Sequence, residues 1–231
     1  MTIIFYELAG ATDDLCFSPN TWRTRMALAH KGLSYETEPC RFTEKDKIAF
    51  SGQKRVPVIR DGDTVVHDSW AIACYLEDIY PDGPSLFGCD TGRAVTHFVN
   101  SYMNTVVHPA VVRLLLADIH ANLHEMDQAY FRESREQRFG MTLEEVSADR
   151  DGNLAAVRRA LVPLNDTLGQ QDWFGGGGPA YADYLVFGAF QWARAVSPAM
   201  LAEPGTPLHA WNERVLDLHD GLGRRLPAAR A

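Results

Sequence analysis

No stretch of the 231-residue chain is apolar for long enough to cross a bilayer. Nor does a basic leader with an apolar core precede Ile3-Ile4-Phe5-Tyr6. These absences lead us to expect a cytoplasmic protein with no membrane partner. Positive charge is in short supply: 22 Lys and Arg against 30 Asp and Glu leave a net −8, which argues against a nucleic-acid partner. Cysteine is sparse too. Cys16, Cys40, Cys74 and Cys89 match no zinc spacing, and a chain of this size needs no disulfide staples, so reduced thiols and no bound metal are expected. There is no internal repeat. What is present is a 46% apolar composition, enough for one large core or two small ones. Against the acidic background stands one early group of cations: Arg41, Lys45, Lys47, Lys54, Arg55 and Arg60.

Residues 3–8 read as a strand of β-branched and aromatic residues. Ser18-Pro19 opens a helix that runs to Lys31 and stops at Gly32. A second strand over 33–39 and a polar segment over 40–55, with a short helix near 44–50, come next. Val56–Ile59 predicts a third strand, Asp61-Gly62 a tight turn and Thr64–Val66 the returning strand. A helix then starts at Asp68-Ser69, puts Ile72, Leu76 and Ile79 on one face, and ends before Pro81. The order is β-α-β-(α)-β-β-α. Pro81-Asp82-Gly83-Pro84 breaks any regular element. Beyond residue 90 the pattern is helical, over 92–118, 122–139, 153–169, 181–196 and 208–221. Leu154, Val157, Leu161, Leu164 and Leu168 form a core stripe too short for a coiled coil, and Pro163 inside it predicts a kink or a break. We therefore expect a domain over 1–80, a linker over 81–90 and an all-helical domain over 91–231.

Three places carry the chemistry. Ser18 before Pro19 is a good N-cap, and the helix start aims free N–H groups and partial positive charge at whatever lies beyond it. An anion is favoured there, and the hydroxyl adds a donor. Pro57 sits in a strand-like run, where proline means an edge, a bulge or a cis bond. In the cis case Val56 would turn its backbone outward, able to pair with an extended peptide. Asp68 and Ser69 can be a plain helix cap. They can equally bind a group bearing both a carboxylate and an α-ammonium.

Together these features resemble the glutathione transferase family, over nearly the whole chain. The resemblance is carried by Ser18-Pro19, by Arg55-Val56-Pro57-Val58, by Asp68-Ser69 with Ile72, and by the proline-rich linker before a helical half. It implies a thioredoxin-like N-terminal domain with a cis-proline at Pro57, an all-helical C-terminal domain, glutathione as co-substrate and a homodimer. It also implies that Val56 binds the cysteinyl backbone of glutathione and that Asp68 and Ser69 hold its γ-glutamyl end. Arg55, then Gln53 and Lys45, would meet the glycyl carboxylate. One departure is visible: the family's Ser/Thr-x-x-Asp capping box is here Ala180-Tyr181-Ala182-Asp183, without the hydroxyl. Ser18 to Arg25, Asp68 to Ala73, Tyr181 to Tyr184 and Gly188 to Ala193 resemble the β-etherase branch, whose members use glutathione to cleave aryl ethers.

The expected activity is therefore ionisation of the glutathione thiol beside Ser18 and its attack on an electrophilic, aromatic substrate. Asn20 is a candidate second donor, or simply a solvated residue of the first turn. Phe17, Tyr130, Phe131 and Trp192 are candidates for the substrate pocket; for Trp192 core packing is the stronger reading. Two other functions remain. One is a glutathione- or ligand-binding protein without catalysis. The other is a thiol-disulfide oxidoreductase built on Cys16, disfavoured because the residue directly before the helix-opening proline is Ser18. His120 and His124 lie four apart, but Ala121 replaces the Glu of a metalloprotease motif, so both read as surface residues. Gly175 to Gly178 lacks the Gly-Lys-Ser/Thr ending of a phosphate loop. Arg132 to Arg138 reads as a solvated helix face.

Overall fold

The computed structural model describes residues 2–229; Met1, Arg230 and Ala231, which the expected domain spans include, lie outside the described residues. Strand β1 (Ile3–Leu8) is central. It pairs in parallel with β2 (Tyr35–Cys40), Ile3 opposite Tyr35, and antiparallel with β3 (Val58–Asp61), Tyr6 opposite Val58. Strand β4 (Thr64–His67) closes the hairpin, giving the order β2-β1-β3-β4. The β1-to-β2 crossover runs through helix α1 (Pro19–His30), and α2 (Ser69–Ile79) follows β4. A 3-10 helix over Lys45–Ser51 covers the other sheet face, where Tyr6, Cys40, Ile48 and Val58 form a small cluster. This is the thioredoxin-like arrangement. The third strand begins at Val58 rather than Val56: Pro57 has no N–H to give to a ladder. The Val56–Pro57 peptide is cis.

The rest is helical: α3 (Asp90–Tyr102), α4 (His108–Ala121), α5 (Glu125–Phe139), α6 (Leu143–Ser147), α7 (Arg150–Leu168), α8 (Tyr181–Val196) and α9 (Pro207–Arg225). The segment expected as one helix over 92–118 is α3 and α4 joined by a π-turn at Met103–Val107. Helix α6 had no periodicity to betray it; a Thr142/Glu145 capping box nucleates it. Of the kink or break expected at Pro163, a break does not occur: α7 continues through it. Pro163 lies on the exposed face of α7, where water can serve the carbonyl it frees, while Val157, Leu161, Leu164 and Leu168 stay buried along the other side. Helix α9 departs from helical geometry at Leu218–Gly221.

One continuous apolar core joins both halves, with α8 at its centre and packed along α1. Gly188 makes this contact possible. A Cβ there would collide with the Pro19 carbonyl oxygen, so α8 touches the backbone that carries Ser18. Asp183 does what the missing capping hydroxyl would not. Fully buried, its carboxylate accepts N–H bonds from Phe174 (2.9 Å), Gly175 (3.0 Å), Ala180 (2.9 Å) and the Trp211 indole (2.8 Å). It therefore fixes the glycine loop and α9 as well as its own helix start.

Candidate active site

Ser18 is the N-cap of α1 by backbone position, with extended dihedrals, yet its hydroxyl makes no capping bond. Its carbonyl does the work instead, accepting from Trp22 N–H (3.1 Å) and the Thr21 hydroxyl (3.0 Å). Pro19 has no N–H in need of an acceptor at that position. The hydroxyl is left uncommitted at the start of a helix, on a residue only 7% exposed. The loop before it is pinned by the Trp22 indole, which donates to the Cys16 carbonyl at 2.7 Å.

Two adjoining cavities share Ser18 on their common wall. The larger, about 550 Å³, is polar and basic. Lys45, Lys54, Arg55 and Val56 line it from the sheet half, and Tyr130 and Arg135 from α5. The smaller, about 260 Å³, is mostly apolar, walled by Phe17, Asn20, Phe131 and Trp192 with Pro109 and Val112. Leu8, Phe42, Arg135 and Arg138 also border both. Of the residues singled out in the sequence, Ser18, Lys45, Arg55, Val56 and Tyr130 meet around the first space. Phe17, Asn20, Phe131 and Trp192 meet with Ser18 around the second. Gln53, Pro57, Asp68 and Ser69 line neither. Gln53 lies 3.4 Å from the His67 ring. Asp68 caps α2, accepting from Trp70 and Ala71 N–H (2.9 and 3.1 Å), and its own N–H reaches the Pro57 carbonyl at 3.3 Å. It holds φ at +72°, an unfavourable region for a residue with a side chain. Ser69 is buried, and its carbonyl accepts the Tyr181 hydroxyl at 2.6 Å.

Cys16 is placed badly for thiolate chemistry. It is buried, its sulfhydryl donates to the Asp13 carbonyl at 3.3 Å, and it borders neither cavity. Burial first, and then the neighbouring Glu7 carboxylate, push its thiol far up. His120 and His124 are half-buried rather than free on the surface: His120 packs near Phe131, and His124 caps α5 through Met126 N–H. No metal-binding group of His, Cys, Asp or Glu occurs among the described residues.

The family models for the glutathione S-transferase N-terminal and C-terminal domains match residues 17–79 and 94–226. The chain belongs to the glutathione S-transferase family. Among its relatives, glutathione S-transferase Z2 of Arabidopsis thaliana is 37% identical over 92 residues, 38% of this chain and 41% of that one. Probable glutathione S-transferase GSTU6 of Oryza sativa is 28% identical over 214 residues, 85% and 80% of the two chains. Among solved structures, glutathione transferase GSTFuA2 of Phanerochaete chrysosporium superposes with a TM-score of 0.78 at 30% identity, over 98% and 95% of the two chains. The Ceriporiopsis subvermispora transferase CsGST63524, solved in complex with glutathione, gives 0.82 at 25% identity over 100% and 99%.

Several residues of this transferase-family cleft escaped the sequence reading. The segment over Arg132–Arg138 is not wholly a solvated face: with Phe131, half-buried Arg135 and exposed Arg138 stand at spacings of four and seven on the side of α5 that meets the cleft, while Arg132 pairs with Glu136 and Glu144. Asp127, fully buried, accepts Phe42 N–H (2.8 Å), Thr43 N–H (2.9 Å) and the Thr43 hydroxyl (2.7 Å), so the helical half holds the loop that carries Phe42. Among the described residues, buried Arg23 has no carboxylate within ion-pair distance. It donates to Asn104 (3.1 Å) and Asn100 (3.4 Å) and lies 3.3 Å from the His108 ring, and burial lowers its pKa to about 10. Asn104, within the π-turn, and His108, directly after it, line the apolar cavity beside Trp192, whose buried indole N–H has no partner among the described residues.

Proposed function

We propose that this protein is a glutathione transferase that conjugates glutathione to an aromatic electrophile, aryl ethers included. The observation that carries this reading is Ser18, its hydroxyl unused by its own helix, on the wall shared by a basic cavity and an apolar one. Glutathione would supply the nucleophilic sulfur. Ser18 donates to it, and the α1 N-terminus favours its charged form. A hydrogen bond to an ion contributes about 1.5–3 kcal/mol and a helix end about 0.3–1 kcal/mol. The sum would lower a thiol of ordinary pKa ~8.5 by about one to three units. Val56 offers its backbone to the peptide, and Lys45 and Arg55, with Gln53 behind, serve the glycyl carboxylate. Asp68 and Ser69 serve the γ-glutamyl end. The strained Asp68 backbone supports that role, since such strain is commonly kept where a ligand is held.

The second substrate lies against Phe17, Phe131 and Trp192. Asn20 stands where its amide can donate to a leaving phenolate oxygen. The homodimer expectation is supported by α3, which leaves Val95 and Phe98 exposed at 59% and 71%; sedimentation gives the assembled mass directly. The test of function is incubation with glutathione, a β-aryl ether and a panel of simple aryl halides. Released phenol plus thioether supports the full reading. Turnover of the halides alone removes the ether and keeps the transferase. Glutathione binding without any turnover leaves a carrier.

A further inference from the structure

The larger cavity holds more positive charge than glutathione can use. Arg41 is paired with Asp13 at 2.8 Å and Glu44 at 3.9 Å. Lys45, Lys54, Arg55, Arg135 and Arg138 have no carboxylate within ion-pair distance among the described residues, in a chain whose net charge is −8. Glutathione brings two carboxylates and one ammonium, a net single negative charge, or two once its thiol ionises. Most of those cations would still face one another across the bound peptide.

Two of the five have a second address. Arg135 and Arg138, one turn apart on α5, also border the apolar cavity; Lys45, Lys54 and Arg55 do not. The Arg135 guanidinium is held over the rings of Phe131 (4.5 Å) and Phe42 (5.3 Å), and among the described residues its single polar contact is the Ser134 hydroxyl at 2.9 Å. Burial above all, with repulsion from Arg138 and Arg55, draws its pKa down, a tension that a bound anion would relieve. A guanidinium fixed on aromatic faces with its N–H fork open suits a planar oxyanion. Below it lie Phe17, Phe42, Phe131 and Trp192, which suit an aromatic body.

We infer that the electrophile is an aromatic compound bearing its own anionic group, a carboxylate or sulfonate, held by Arg135 with Arg138 at the mouth of the apolar cavity. This rests on the glutathione reading above. Arg135 is then a specificity-determining residue, and a neutral aromatic electrophile is the poorer substrate.

Calorimetric titration with two conjugates that fill both cavities tests this: S-benzylglutathione and S-(4-carboxybenzyl)glutathione, which differ by one carboxylate. In the native protein the carboxylate should tighten binding by about tenfold or more, the size of one charge-assisted hydrogen bond. In R135Q that preference should vanish, in R138Q it should shrink, and in R135K, which keeps a point charge but no fork, part of it should remain. Raising the salt concentration should erode it in the native protein. Equal or weaker binding of the carboxylated conjugate by the native protein overturns the inference. So does an R135Q variant that weakens both conjugates and free glutathione alike, which would assign the arginine to the peptide. If neither glutathione nor S-benzylglutathione binds, the underlying glutathione reading has failed and the inference falls with it.

Discussion

At the scale of single residues, Ser18 and Cys16 stand two apart and are separated by environment. The serine lines both cavities with its hydroxyl uncommitted, whereas the cysteine is buried behind the loop, beside Glu7, with its thiol held neutral. Replacing Ser18 by Ala should cut turnover of an aryl halide at neutral pH by about 10- to 100-fold, the equivalent of one charged hydrogen bond. The loss should shrink above pH 9, where any thiol ionises unaided, so the pH-rate profile rather than one rate is the measurement. Cys16→Ser should leave that profile in place; an abolished activity would reinstate the redox reading. The Ser18 position could be read from sequence because everything it uses is local: a cap, a proline, the first turn. Asp127 could not. In sequence it resembles an ordinary acid in a first turn, and its three donors lie more than eighty residues away. Arg135 was misread for the same reason, since one of its two aromatic supports, Phe42, is remote in the chain.

At the scale of elements, strand and helix periodicities were legible, along with the hairpin and the helix ends. What misled was proline, whose effect depends on which face it occupies. Pro57 shortened a strand by removing a donor, and Pro163 left a helix intact because it looks out to water. The contact of α8 with α1 shows how tightly elements set the site. Gly188→Ala should force the helices apart at Pro19, lowering stability by about 1–3 kcal/mol in urea unfolding and weakening turnover, because Ser18 would move with Pro19. The end of α1, the body of α2 and the linker meet at Glu77. Its carboxylate pairs with Lys31 (2.6 Å) and accepts from Leu86 N–H (2.9 Å) and the Ser85 hydroxyl. Burial works to raise its pKa, but those donors prevail and hold it below the ordinary carboxylate range. Its contribution is thus complete above the unfolded value of about 4.3 and lost as pH falls through the lower folded value. Glu77→Gln should reduce stability by about 1–3 kcal/mol at pH 7 and flatten the acid limb below pH ~4.5, read by denaturant midpoints across pH.

At the scale of the whole molecule, two halves share one core, and each contributes walls to the same pair of cavities. Their existence was evident from the vanishing β signal beyond residue 90; the seam between them was not, because its apolar packing is joined by polar contacts between residues remote in the chain. Tyr181 reaches Ser69, Asn104 and His108 reach Arg23, and Asp127 reaches Phe42 and Thr43. To swing the jaws of the cleft apart would strip the Asp127 carboxylate of three donors and leave water to replace them, a net cost of a few kcal/mol. We therefore expect ligand to enter without the halves parting, past the exposed side chains of Lys54, Arg55 and Arg138, which turn aside by rotamer hops on the picosecond-to-nanosecond scale. Stopped-flow mixing with glutathione should accordingly show one phase whose rate climbs linearly with concentration; a plateau would mean that the gate swings after all.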